Sequence, residues 1–488
     1  MDKGILKNVA INFFGLVLPT FVSLVTVPAY IKLLGVERYG VISLVWTLIG
    51  YFGILDLGMS MAAQNHISKA RASGDASESS RVFWSATWLN LATGIAGGLM
   101  IYFGAFMYTA YFSKVSPELQ HEVYMALPWL AIAMPIANVS WVFAGAINGA
   151  ERFGIYNTNQ TLGTFLFQLL PLGAAWYFAP TLQYVLAAAV VARLLAAALL
   201  GHSALKVLGI RRIEPPQFGV AKGLFSFGGW MLIASVTNMV AESLDRVMLG
   251  TSLGARFVTY YTVPQNLVTR LNIVPTALTR TLFPRLSAVG RDHADVLTRQ
   301  SLEFLNGVFT PVALVAIIVL EPFLHLWVGN EIATAAGPVG RILIVGVWLV
   351  GQANVTRILV QSQVTPAAAA RVGMFELPFF AGALWFGIAH FGLTGAAIVV
   401  ASRALFDYGV LLWLSAIRAR PIVLDMLAHL VFLIGTLWLS TFLSGLTSSV
   451  VAVALVVGAN VVWSITMTPA LRDLARMVLM RLNPRKSA

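Results

Sequence analysis

The chain predicts an all-α integral membrane protein with about 14 transmembrane helices, and three observations predict it. Only 11% of its 488 residues are charged and 58% are hydrophobic, with a mean hydropathy of +0.80, whereas a soluble domain carries roughly 25% charged residues. Apolar runs of bilayer length, about 20 residues, follow one another from Asn8 to about Leu471 with short polar breaks. Lys and Arg collect in alternate breaks, as insertion with positive residues inside requires.

In order, the first six spans are 8–33, 40–63, 83–112, 122–147, 155–178 and 183–205. Six more follow at 223–250, 258–283, 300–327, 338–362, 370–391 and 395–416, and a final pair at 425–444 and 450–471. The organisation expected is a six-helix lobe over 1–205, a cytoplasmic linker over 206–222, a second six-helix lobe over 223–416, and an extra helix pair with a basic tail over 417–488. Lys3 and Lys7 precede an apolar run as in a signal peptide, but that run is long, contains Pro19 and Pro28 and leads directly into another span. It reads as a retained first helix.

With the N-terminus inside, the inner loops hold fourteen Lys and Arg, among them Lys69, Arg81, Arg152, Lys206, Arg291 and Arg371; the outer loops hold only Arg38, Lys114 and Arg256. Both termini are therefore expected in the cytoplasm. The net charge of +12 is mostly this bias, and the basic tail suits the anionic inner leaflet; nucleic acid is not needed to explain it. Single cysteines at Ser73 and Ser116 test the orientation on a chain with no native Cys. The expected result in intact cells is labelling at position 116 only, and labelling of position 73 by an impermeant reagent reverses the topology.

The loops, under about 20 residues, are too short for a soluble domain. No Gly-Lys-Ser/Thr phosphate loop, no His-x-x-x-His metal spacing and no nucleophile, base and orienter set is present. An enzyme is not expected, nor a cofactor or metal. Two echoes suggest internal duplication: LLG at 33–35 against MLG at 248–250, and VVARLL at 190–195 against VVASRAL at 399–405. A repeat with an even number of helices places both copies the same way up, with a site between two bundles, as in transporters.

The stretch LLGVERYGVISLVWTLIGYFGILDLGMSMAAQNHISKA, residues 33–70, resembles the opening of the oligosaccharide flippases of bacterial polysaccharide assembly. Residues 244–287, from LDRVMLG through YYTVPQNLV to TLFPRLS, resemble the start of that family's second half. The resemblance implies the multidrug, oligosaccharidyl-lipid and polysaccharide transporter fold, two six-helix lobes around a central cavity working by alternating access. It also implies an undecaprenyl-pyrophosphate-linked O-antigen or exopolysaccharide repeat unit as cargo, movement from the cytoplasmic to the periplasmic leaflet of the bacterial inner membrane, and a polymerase and chain-length regulator as partners. Related lipid II flippases place a basic residue soon after the paired tyrosines of helix 8, where this chain has Pro264 and Gln265 after Tyr260 and Tyr261.

Eight basic residues fall inside the spans: Lys32, Arg193, Arg246, Arg270, Arg280, Arg341, Arg357 and Arg403. A charge at mid-bilayer costs about 2.5–3.5 kcal/mol, so such residues face protein or water and mark function. Arg193, Arg270 and Arg403 are mid-helix. Lys32, Arg246 and Arg341 lie near outer ends and Arg280 and Arg357 near inner ends, where snorkelling is the alternative. In helix 8 a polar stripe runs through Gln265, Thr269, Asn272, Thr276 and Arg280, with Arg270 beside it and Pro264 and Pro275 able to bend it. The intramembrane acids are fewer: Asp56, Glu242, Asp245, Glu376 and Asp407.

This positive excess favours an anionic cargo, since the arginine fork engages two phosphate oxygens. Arg270, Arg193, Arg403, Arg246, Lys32, Arg280, Arg357, Gln265 and Asn272 are the substrate-binding candidates. Glu242, Asp245, Asp56, Glu376 and Asp407 are the ion-coupling or gating candidates, with H+ or Na+ as the coupling ion. Spacing pairs Glu242 with Arg246 and Arg403 with Asp407, and leaves Arg193 without an acid within a turn. A drug or cation antiporter of the same fold calls for the opposite charge sign, and a membrane polysaccharide polymerase for a larger outer loop.

Overall fold

The computed structural model describes residues 22–50, 59–72, 75–112, 114–217, 240–363, 366–417, 419–443, 446–467 and 472. The elements are α1 (Val22–Leu34), α2 (Val36–Gly50), α3 (Met59–Ala72), α4 (Ala76–Met107, extended by a π-helical turn Tyr108–Phe112), α5 (Pro117–Gly149), α6 (Phe153–Tyr177) and α7 (Leu182–Leu208). They continue as α8 (residues 240–252), α9 (Ala255–Val268), a 3₁₀ turn (Thr269–Asn272), α10 (Ile273–Ala288), α11 (Arg291–Val328), α12 (Asn330–Gln363), α13 (Pro366–Ser415), α14 (Ala419–Ser440) and α15 (Leu446–Met467). Every expected span contains a described helix. Eight of the described helices are long and apolar enough to cross a bilayer alone, and the protein is a multi-pass membrane protein.

Helix ends follow local chemistry. Asp75 caps α4, accepting from the Glu78 backbone N–H at 2.9 Å and from the Ser77 hydroxyl at 2.7 Å. Those two bonds hold its carboxyl below the usual carboxylate range. Arg38 grips Glu122 with two guanidinium nitrogens, the closer at 2.6 Å, and the same Glu122 accepts the Leu182 N–H at the start of α7. One carboxylate thus ties α2, α5 and α7 together.

The chain folds as two compact units, Met1–Thr259 and Tyr260–Ala488. In the first, α5 lies against α3, α4 and α7, around a core that includes Met59, Ile67, Phe83, Val142, Ile147 and Leu200. In the second, α12 packs on α11 and α13, and α14 and α15 pack on α11. Trp348 of α12 is fully buried with its indole N–H on Thr310 Oγ1 at 3.0 Å, satisfying the one polar atom that burial would otherwise penalise.

The described residues of the span 40–63 belong to α2, up to Gly50, and α3, from Met59. α8, expected to open the second lobe beyond the 206–222 linker, contacts α2 and the π-helical turn of α4: the Tyr108 hydroxyl donates to Val247 O at 3.4 Å and Arg246 reaches Thr47. One expectation is corrected: the helix end expected at MLG, 248–250, lies elsewhere. Gly35 and Gly254 each follow a helix with positive φ, +82° and +105°, and each donates its N–H back to that helix, to Ile31 O and Leu249 O. The left-handed residue at a helix C-terminus is a glycine's task, so the equivalent motif is Leu253-Gly254, and Gly250 stays inside α8.

The expected boundary between spans 370–391 and 395–416 is where α13 folds over, at Gly392 (φ 58°, ψ −134°). Its two halves return against each other so closely that a side chain at Gly395 would meet the Gly387 carbonyl.

Candidate functional site

Arg193 sits on α7, eleven residues beyond Leu182, where α6 and α7 approach closely at Gly163 and Ala196. Its guanidinium lies over the Phe167 ring, 4.7 Å from the centroid, a favourable place for a cation. It lines a cavity of about 230 Å³ with Trp141 of α5 and Asn159, Gln160 and Thr164 of α6. Asn159 is fixed by donating to Ser203 Oγ at 2.9 Å. The Arg193 Nε is buried without a hydrogen-bond partner among the described residues, so the cavity holds an unsatisfied donor beside amides, a hydroxyl and an indole.

Arg403 has the same setting in the second unit. It lies eleven residues beyond Gly392, on the second half of α13, and its guanidinium stacks on Phe380 of the preceding half at 4.5 Å. Its electrostatic setting differs. Arg403 Nε faces Glu376 Oε2 at 3.5 Å, with Glu376 5% exposed and its Oε1 lacking a partner among the described residues. Asp407 takes a short charge-assisted bond from Arg357 of α12, which also donates to Asn354 at 3.3 Å. The intrahelical pairing of Arg403 with Asp407 is therefore corrected: both carboxylates bond across helices, because the fold at Gly392 returns Glu376 to Arg403 and the α12 contact brings Arg357 to Asp407. The result is a cluster of two arginines and two acids.

The polar stripe expected in the span 258–283 does not lie on one continuous α-helix. A 3₁₀ turn at Thr269–Asn272 separates α9 from α10, and since each such residue advances about 120° rather than 100°, Gln265 and Arg280 are no longer in register. Arg270 and Thr269 lie exposed on this turn, and Asn272 has a buried Oδ1 without a partner. Gln265 is half-buried; Arg280 belongs to α10 and its side chain is not described.

On α8, Asp245 is 3% exposed and accepts the Arg246 backbone N–H at 2.8 Å. Glu242 is exposed. The Arg246 guanidinium donates to Thr47 Oγ1 at 2.5 Å and edges a largely apolar cavity of about 300 Å³ between α2, α4 and α8. Lys32 is exposed on α1. Arg341 bonds Glu321 at 2.8 Å, and Asp56 lies outside the described residues.

Sequence reasoning missed Trp141, Asn159, Gln160 and Thr164. The polar run YNTNQT, residues 156–161, signals Asn159 and Gln160 on an otherwise apolar helix, but only the packing of α5 against α6 and α7 selects one tryptophan among thirteen.

A family profile described as "Polysaccharide biosynthesis protein" matches residues 31–337. The chain is 26% identical over 422 residues to a Shigella flexneri protein named "Putative O-antigen transporter", covering 84% of this chain and 97% of that one. Among solved structures, the lipid II flippase MurJ in an inward closed conformation superposes with a TM-score of 0.69 at 12% identity, over 94% of this chain and 99% of that one. An inward-facing multidrug resistance MATE family transporter of the MOP superfamily superposes at 0.67 and 16%, over 83% and 95%. The fold is that of these membrane transporters.

Proposed function

The chain belongs to the polysaccharide biosynthesis protein family, and we propose that within it this protein is a flippase for an undecaprenyl-pyrophosphate-linked oligosaccharide repeat unit, carried from the cytoplasmic to the periplasmic leaflet of a bacterial inner membrane with both termini inside. The observation that carries this reading is the cavity at Arg193. Its cation suits a pyrophosphate oxygen, while Trp141, Asn159 and Gln160 supply the apolar face and the amide donors and acceptors that sugar rings and hydroxyls engage. The match to a protein named as a putative O-antigen transporter, over 84% of this chain and 97% of that one, supports the same cargo class.

Catalysis is no part of the reading: the cargo changes leaflet without a bond being made or broken. Alternating access needs only that Arg193 and Arg403 hold phosphate better in one state than in the other. The test is a strain lacking this chain. Lipid-linked oligosaccharide is expected to accumulate while surface polysaccharide disappears, both reversed by the intact gene. Surface polysaccharide that persists without the chain overturns the reading.

A further inference from the structure

Outside the candidate site, α14 and α15 join α11 through a buried polar network. Asn306 of α11 donates from Nδ2 to Asp425 Oδ2 at 2.7 Å. His429, one turn beyond Asp425 on α14, has Nε2 at 3.8 Å from Asp425 Oδ1. Its other nitrogen, Nδ1, lies 3.2 Å from the Nδ2 of Asn460 on α15. Asn306, His429 and Asn460 are each no more than 1% exposed. His429 is ten residues into α14, about 15 Å along the helix and so near the middle of a bilayer core of roughly 30 Å. A fully buried imidazole at that depth is a functional group by default.

The network accommodates two protonation states. With Asn460 donating, His429 Nδ1 accepts, so the neutral ring carries its proton on Nε2, toward Asp425. Among the described residues Asn460 Oδ1 is then buried with no partner, and so is Asn306 Oδ1. A proton added at Nδ1 turns that nitrogen into a donor. Rotation of the Asn460 amide by half a turn presents Oδ1 to it, and one unsatisfied oxygen gains its bond. The pair with Asp425 changes from net −1 to neutral, and release of the proton reverses both changes. The titratable groups that face the pair are Glu303 on α11, held by Arg299 at 3.6 Å, and Tyr408 on α13, whose hydroxyl is buried without a partner. Both act on Asp425, whereas Asn460 meets the imidazole at Nδ1, so the amide swap involves these two side chains.

We propose that Asp425 and His429 form a proton-binding site in the C-terminal helix pair, and that its occupancy couples cargo movement to the transmembrane proton gradient. This rests on the transporter reading above.

Two measurements on the full chain test it. Purified protein in nanodiscs is moved from mildly alkaline to mildly acidic buffer and proton uptake is counted; His429→Gln is expected to take up one proton fewer than wild type, and Asn460→Ala to keep the proton but bind it more weakly. In cells, nigericin, which collapses the pH gradient, is expected to lower wild-type surface polysaccharide several-fold, whereas His429→Gln, at wild-type abundance, exports several-fold less and no longer responds. Equal proton counts, or equal export with equal nigericin sensitivity, overturn the site. Should His429→Gln be scarce in the membrane, the export comparison passes to Asn460→Ala, for which an unchanged nigericin response is the overturning result. If wild type exports no glycan while the proton count holds, the flippase reading fails instead.

Discussion

Arg193→Ala is expected to reduce surface polysaccharide about thirtyfold or more while the protein reaches the membrane at its usual level. The size follows from truncating one partner of a desolvated charged hydrogen bond to phosphate, roughly 2 kcal/mol or more. The usual level follows from the structure: Arg193 has a ring beneath it and an unsatisfied Nε, but no carboxylate within reach among the described residues. Arg193→Lys should restore part of the export, since the charge returns and the planar fork does not. A purely structural arginine gives another pattern, in which the alanine variant exports normally or is more abundant. Quantifying surface glycan and membrane abundance together separates the two. Normal export from Arg193→Ala would remove the cavity from the site and leave Arg270, exposed on the 3₁₀ turn, as the cation to replace next.

The second large effect is expected at Arg403. Arg403→Ala leaves Glu376, 5% exposed, as a buried carboxylate whose facing guanidinium at 3.5 Å is gone. Breaking one side of a buried pair costs about 3–5 kcal/mol, enough to lower abundance sharply in a marginally stable protein. Glu376→Gln combined with Arg403→Ala removes both charges and should recover most of the lost abundance. A double variant as scarce as the single one would show that Arg403 stabilises through Phe380 alone. The same cluster changes what Asp407→Asn does: it releases Arg357 rather than Arg403, so the freed cation stands on α12.

Together these two arginines show how far the sequence reaches. The 210-residue spacing between Arg193 and Arg403 was legible, and the structure adds a shared setting, each stacked on a phenylalanine of the preceding helical segment. Their partners were not legible. Glu376 is 27 residues from Arg403, and no periodicity rule along one helix connects residues across a fold-back such as that at Gly392. The Asp425–His429 pair is one turn apart and could be read from sequence; Asn306 and Asn460, which make it a network, come from other helices.

What the sequence by itself determined is the membrane setting and the helix inventory, because the bilayer imposes length and apolarity on every spanning segment and any chain that crosses must display both. It also determined the excess of basic over acidic residues inside the spans, a matter of counting. Tertiary structure decided which cations are masked and which are not, and where α8 packs. It also decided that the span 258–283 breaks at a 3₁₀ turn between α9 and α10, and that Trp141 and the amides of α6 share a cavity with Arg193. The physical reason is that lipid-facing and protein-facing sides are equally apolar in a membrane helix. Hydropathy therefore finds a helix without saying what it touches, and only packing assigns a buried charge its partner.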